Sequence, residues 1–376
     1  MRTYLFIIAI AAIVTFSGTY FTIRMSRKHL VMPEIRDRDT HTTPTPRIGG
    51  LAMLAGMFAA LLVAGSLNWF DSVFSEPQRI LAIVSAATVI VIVGVLDDFF
   101  DLDWTIKLAG QVLAAGILAW QGVQIVSLPI GGLVIGSYAV SMIITIFLIV
   151  LIMNAVNFID GLDGLVAGVV LIGTSAFFLY TYLVTQQTSP TNYFNLASLI
   201  SAIVVGMALG FLPFNWHKAK IFMGDSGSML LGLLMATAAL AVTGQIDPAA
   251  VSSRVLAPAF LPIVLPLAIL LLPLLDLLLA VIRRVRAGKS PFRADKSHIH
   301  HKLQDLGHGH VGSVLVFYFW TAIISFGGLS LMFIPTELAL LIAVLAAIPV
   351  TIYTVWPVLN ALRQPALNAV RKRASK

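Results

Sequence analysis

The sequence has 376 residues, 59% of them hydrophobic and only 11% charged, with a mean hydropathy of +0.94. Soluble domains carry about 25% charged residues, so this composition excludes a soluble globular protein and points to a chain organised by bilayer crossings. Cysteine is absent, which excludes disulfides, thiolate metal sites and cysteine nucleophiles, and the net charge of +7 is accounted for by basic loops without a nucleic-acid partner.

The first apolar run, Tyr4 to Ile23, is long enough to span and ends in basic residues rather than at a small-residue cleavage site. It reads as a retained helix. Further runs follow at 49–67, 80–96, 105–120, 138–153, 165–185, 195–213, 227–243, 255–282, 313–333 and 337–357, which with 3–23 makes about eleven transmembrane helices. The fold expected is an all-α polytopic membrane protein, a single integral domain over 1–376 with a basic cytoplasmic tail over 358–376. Lys107 and Gln111 make the fourth run the least apolar at its start. Residues 122–137 alternate Val and Ile with smaller residues around a Pro-Ile-Gly-Gly turn, which predicts a small β-hairpin on the outer side. The ninth run carries Pro258, Pro262, Pro266 and Pro273 and is expected to be bent or broken.

Charge sets the orientation. The connections 24–48, 97–107, 154–164, 214–226 and 283–312, with the tail, hold 21 of the 24 Lys and Arg residues. Only Arg2, Arg79 and Arg254 fall on the other side. By the positive-inside rule the N-terminus is outside and the C-terminus cytoplasmic.

Seven of the 17 acidic residues lie in three short connections on that same basic side. Ionisable groups at the ends of apolar helices are costly and commonly mark function. The first group is Asp97, Asp98, Asp101 and Asp103 after the third run. On a helical continuation Asp97 and Asp101 share a face, with Asp98 close by. Such paired carboxylates suit an octahedral Mg²⁺ held together with substrate phosphates. The bland alternative is a solvated helix end. The second group lies in Asn154–Gly168, where Asn154, Asn157, Asp160 and Asp163 fall within ten residues and no basic residue accompanies them. Asn and Asp together can read a nucleobase edge and a ribose, or complete a metal shell; an ordinary turn is also rich in Asn, Asp and Gly.

The third group surrounds Gly224-Asp225-Ser226-Gly227 at the start of the eighth run, preceded by Asn215, Lys218 and Lys220. A helix start offers free N–H groups to phosphate beside a carboxylate for Mg²⁺, and the two lysines are suitable point charges. The loop before the tenth run holds seven Lys/Arg and His298, His300, His301, His308 and His310. The first three lack nearby carboxylate or thiolate partners, so contacts to phosphate or sugar fit better than zinc. His308 and His310 read as loop residues.

Four elements in this order are Asp97-Asp98-x-x-Asp101, Asn154–Gly168, Gly224-Asp225-Ser226-Gly227 and His298-Ile299-His300-His301. With them, and an early Pro-Thr-Pro-Arg-Ile-Gly-Gly turn at 44–50, the chain resembles the polyprenyl-phosphate N-acetylhexosamine-1-phosphate transferase superfamily over nearly its whole length. The His-Ile-His-His form resembles the GlcNAc-1-phosphate branch more than the phospho-MurNAc-pentapeptide branch. One departure stands out: Thr42 and Thr43 precede the turn at 44–50, where members often carry Lys.

The resemblance implies Mg²⁺-dependent transfer (Mn²⁺ an allowed substitute) from a UDP-N-acetylhexosamine, UDP-GlcNAc, to a polyprenyl phosphate lipid in the bacterial inner membrane, with the active site on the cytoplasmic face. It implies Asp225 as metal ligand with Asn157 second, and Asp97, Asp98 and Asp101 as the catalytic carboxylates that serve the lipid phosphate or the metal. It places Asn154, Asp160 and Asp163 on the nucleotide side, Asn215, Lys218 and Lys220 as substrate contacts, and His298, His300 and His301 at the diphosphate or sugar. A homodimer is compatible with this reading. A cation-coupled transporter is the rival from another class, but its acids would be expected at the membrane midplane.

Overall fold

A computed structural model describes residues 1–29, 45–125, 137–188, 195–243, 271–286, 288 and 299–374. The described residues form helices and connections, with no strand among them. In chain order the helices are α1 (Arg2–His29), α2 (Gly49–Gly65), α3 (Asp71–Phe74), α4 (Pro77–Phe100), α5 (Trp104–Trp120), α6 (Tyr138–Phe158) and α7 (Leu165–Thr188). There follow α8 (Leu196–Asn215), α9 (Gly224–Thr243), α10 (Leu271–Arg286), α11 (Ile299–Asp305), α12 (His310–Ser330) and α13 (Thr336–Ala374).

Among the described residues eight helices are long and apolar enough to cross a membrane: α1, α4, α6, α7, α8, α9, α12 and α13. Helix α2 turns by 92° into the short segment Asn68–Phe74, and the pair together has the length and composition of a ninth span, broken or re-entrant. The chain is a multi-pass membrane protein. Every predicted apolar run except the ninth coincides with one of these helices, the fourth as the 17-residue α5. Of the ninth run, 255–282, only 271–282 is described, within the helix Leu271–Arg286 that includes Pro273; the break expected around Pro258, Pro262 and Pro266 lies outside the described residues. The hairpin expected over 122–137 lies outside them too, apart from 122–125 and 137. The segment read as a tail from 358 is helical as far as Ala374, continuous with the last span.

Local signals set several helix ends. Pro77 opens α4, where its missing N–H would have no partner in any case. Asp103 caps α5 by accepting from the Thr105 hydroxyl and N–H at 2.5 and 2.9 Å, and these bonds hold its carboxyl below the usual range. Asn195 caps α8 by accepting from Ser198 N–H at 2.7 Å. Inside the helices, Thr19, Ser201 and Thr237 donate to carbonyls four residues back, which satisfies their hydroxyls without water.

The bundle is built around α9. It packs against α4, α6, α8 and α2 and is almost wholly buried, whereas the last span is almost wholly exposed. Around it α1 packs on α2 and α8, α7 on α8 and α12, and α5 on α4 and α6. A helix so enclosed faces protein on every side, so polar groups at its first turn meet other helix ends rather than lipid.

Candidate active site

The three acidic connections meet at one end of the bundle. The ends of α4 and α6 and the starts of α5 and α9 supply the side chains. Lys107, one turn into α5, places its ammonium among them. It donates to Asp97 Oδ2 at 3.3 Å, to Asn157 Oδ1 at 3.5 Å and to Asp225 Oδ2. Asn157 in turn donates through Nδ2 to Asp225 Oδ1 at 2.9 Å and to Ser228 Oγ at 2.8 Å. The Ser228 hydroxyl donates to Gly224 O at 3.0 Å, closing the ring of contacts on α9.

Asp98 plays a different part. Its carboxylate accepts from Asp225 N–H at 3.1 Å and from Ser226 N–H and Oγ at 3.4 and 3.3 Å. It therefore caps the first turn of α9 from outside the helix, where free N–H groups favour an anion. The approach is close. A Cβ on Gly94, one turn before Asp98, would collide with the Ser226 backbone. Gly224 adopts φ +68 and lies against Arg47 O and the Asp98 carboxylate, so only glycine fits the turn that delivers Asp225. The segment before α2 locks the same turn: Phe222 N–H donates to Pro46 O at 2.8 Å, while Gly49 and Gly50 N–H donate to Phe222 O and Met223 O, each at 3.1 Å.

Asp101 does not continue the helix. Its φ of 50 ends α4 in the left-handed region, its N–H donates to Asp97 O at 3.0 Å, and its side chain is exposed. The helical spacing predicted for Asp97, Asp98 and Asp101 fails at that residue, because the chain must turn back within three residues to begin α5.

Asn154 lies one turn deeper than Asn157 and donates to Gln111 Oε1 at 2.7 Å, the residue one turn beyond Lys107. Asp160 and Asp163 sit in the turn between α6 and α7. Enclosure pushes the Asp160 carboxyl well above the usual range even though part of the residue reaches solvent; the Asp225 and Asp98 carboxylates add to the push and the Arg47 charge opposes it. Asp163 is buried and accepts from Ala219 N–H at 3.2 Å. Asn215 is also buried, and both ends of its amide meet backbone: it accepts from Gly164 N–H and donates to Ile221 O, each at 3.0 Å. That role ties two loops together. Lys218 (φ 60) and Lys220 are exposed on the loop leading to Asp225. His298 lies outside the described residues; His300 and His301 fall on α11, without described side chains. His308 and His310, read from sequence as loop residues, are anchored: His308 Nε2 lies 2.9 Å from Thr354 O, and His310 opens α12 facing Asp163.

Sequence reasoning gives no site role to Lys107 or Gln111 and does not foresee the contact of Ser228 with Asn157 or the capping role of Asp98. The signal for the first was present. A lysine one turn inside an apolar helix, on the same side as four aspartates, needs a charged partner.

The set Asp97, Asn157 and Asp225 offers hard oxygen donors from three helices around a point that the Lys107 cation already approaches. Such donors fit Mg²⁺, which is held by one or two carboxylates and completed by phosphate oxygens and water.

The model of the family described as "Glycosyl transferase family 4" matches residues 80–243. The decaprenyl-phosphate N-acetylglucosaminephosphotransferase of Mycolicibacterium smegmatis is 39% identical over 349 residues, covering 91% of this chain and 86% of the relative. Proteins of the same description from Mycobacterium leprae and Mycobacterium tuberculosis are 38% and 39% identical, each over 86% of this chain and 82% and 81% of the relative.

Proposed function

This chain belongs to glycosyl transferase family 4, the superfamily of polyprenyl-phosphate N-acetylhexosamine-1-phosphate transferases, and from that premise we propose that it transfers GlcNAc-1-phosphate from UDP-GlcNAc to a polyprenyl phosphate, releasing UMP. The observation that carries the reading is the convergence of Asp97, Asn157 and Asp225 with Lys107 at one end of the bundle. The branch is supported by relatives described as decaprenyl-phosphate N-acetylglucosaminephosphotransferases.

A phosphate monoester has a second pKa near 6, so the lipid phosphate is mostly a dianion at neutral pH and needs little help from a base. Its oxygen attacks the β-phosphorus of the nucleotide sugar. A new P–O bond forms, the bond to the oxygen bridging the two phosphates breaks, and UMP leaves with that electron pair. The demands on the protein are in-line placement and charge neutralisation. Asp225 and Asn157 would hold Mg²⁺, which when bound supplies positive charge to the phosphate oxygens. Lys107 neutralises a further phosphate oxygen, and Asp97 orients the acceptor or takes its last proton. Asp98 holds the Asp225 turn in place. The family resemblance supports contacts from His300 and His301 to the diphosphate or sugar. Direct attack is preferred to an aspartyl-phosphate route.

The membrane arrangement proposed is eleven crossings in a bacterial inner membrane, with the N-terminus outside and the site on the cytoplasmic face. The one-sided distribution of 21 of the 24 Lys and Arg supports it.

The test is UMP release by detergent-purified protein with a polyprenyl phosphate and either UDP-GlcNAc or UDP-MurNAc-pentapeptide. Release is expected with UDP-GlcNAc only, abolished by EDTA, restored by Mg²⁺, and lowered at least about 100-fold in Asp225→Asn, because a bound metal contributes several kcal/mol of charge stabilisation. Release with the pentapeptide donor alone would move the protein to the other branch. No release with either donor from folded protein would refute the reading.

A further inference from the structure

Away from the Asp225 centre, a second set of ligand atoms converges from three separate segments. Asp163 comes from the turn between α6 and α7, His217 from the loop after α8, and His310 from the first position of α12. His217 Nδ1 and His310 Nε2 each lie 3.8 Å from the same carboxylate oxygen, Asp163 Oδ2. The three ligand atoms fall within 4.8 Å of one another, and the two imidazole rings stand 4.9 Å apart.

These distances are too long for hydrogen bonds. They lie close to the edge of a metal polyhedron: ligands about 2.0–2.1 Å from a tetrahedral ion are roughly 3.4 Å apart. The Asp163 side chain is 1% exposed, so its charge is withdrawn from water, and its Oδ2 also accepts from Ala219 N–H, which fixes its direction. His217 is 41% exposed on its loop, so its ring has room to close on an ion shared with the other two. Two imidazoles and one carboxylate form a set of intermediate softness, which favours late first-row ions over Mg²⁺. The oxygen-only set at Asp225 has the opposite preference.

We propose that Asp163, His217 and His310 bind a divalent ion of the zinc class, with three protein ligands and an open fourth position. The ion would brace the α6–α7 turn, the loop leading to Asp225 and the start of α12 against one another. The inference gives Asp163 a role other than the nucleotide contact that the resemblance implies, and it does not depend on which donor sugar is used.

The experiment is a Co²⁺ titration of tag-free, metal-depleted full-length protein in detergent, followed by visible d–d absorption. One equivalent of Co²⁺ is expected to give the intense bands of a low-coordinate site. Zn²⁺ should bleach them, and excess Mg²⁺ should leave them. His217→Ala and His310→Ala are expected to weaken Co²⁺ binding at least about tenfold, while Asp225→Asn keeps the bands. If His310→Ala does not fold, His217→Ala, on an exposed residue, decides alone. No low-coordinate band in the wild-type chain, bands indifferent to His217→Ala, or bands lost in Asp225→Asn would each overturn the proposal.

Discussion

At the scale of single residues, the acidic pair after α4 divides its labour. Asp97 meets the Lys107 ammonium, whereas Asp98 is bound to the backbone of the first turn of α9. Identical neighbours in sequence therefore face different partners, because successive residues on a helix point about 100° apart. This division has a measurable consequence. Asp98→Ala removes the acceptor from buried N–H groups, a loss of about 1–3 kcal/mol. The variant is expected to show a lower thermal midpoint in detergent as well as reduced turnover. Full loss of turnover with an unchanged midpoint would show instead that Asp98 acts on substrate and not on the fold. Lys107 and Asn157 complete the picture: Lys107 contacts α4, α6 and α9, and Asn157 contacts α5 and α9, so neither can be assigned a role from its own segment.

At the scale of elements, the site depends on how closely two helix ends approach. Gly94 on α4 lies against Ser226 at the start of α9, with Asp225 C 2.8 Å from where a Cβ would stand. Two effects of Gly94→Ala compete. Alanine is a better helix former by about 1 kcal/mol, while forcing a methyl into a packed contact costs about 1–3 kcal/mol. Since the obstacle is backbone and cannot rotate away, the packing cost should prevail. Gly94→Ala is expected to lower the thermal midpoint and, by displacing Asp225, to weaken Mg²⁺-dependent activity; a raised midpoint would refute the close approach. The pairing of residues 46–50 with 222–223 works at the same scale. It explains why a Pro-Arg-Ile-Gly-Gly turn far away in sequence belongs to the site.

At the scale of the whole molecule, helix ends alternate so that the turns at 101–103, 159–164 and 216–223 and the start of α12 share one end of the bundle. The proposed sidedness follows from the charge count, and the absence of native cysteine makes it simple to check. In intact inner-membrane vesicles of known orientation, Lys218→Cys should react with an impermeant maleimide only from the cytoplasmic side and Arg79→Cys only from the outer side. The reverse pattern would invert the topology and remove the site from the face where nucleotide sugars are made.

Much of the architecture was legible without coordinates. Apolar runs long enough to span must become helices, since backbone groups cannot be left unbonded in lipid, and ten of the eleven runs coincide with helices here. The gathering of carboxylates on the basic side was equally visible, as a pattern in linear order. What linear order does not contain is which groups touch. Lys107 looked like a blemish in the fourth run, Asp101 like a third member of a helical face, and His310 like a loop residue. Only packing decided otherwise: α5 folds back to bring Lys107 to Asp97, a left-handed turn carries Asp101 outward, and α12 sets His310 against a buried Asp163. The physical reason is range. Hydropathy and charge act on segments and can be summed along a chain, whereas a site is built from contacts a few ångströms long between residues as many as 176 positions apart, like Pro46 and Phe222.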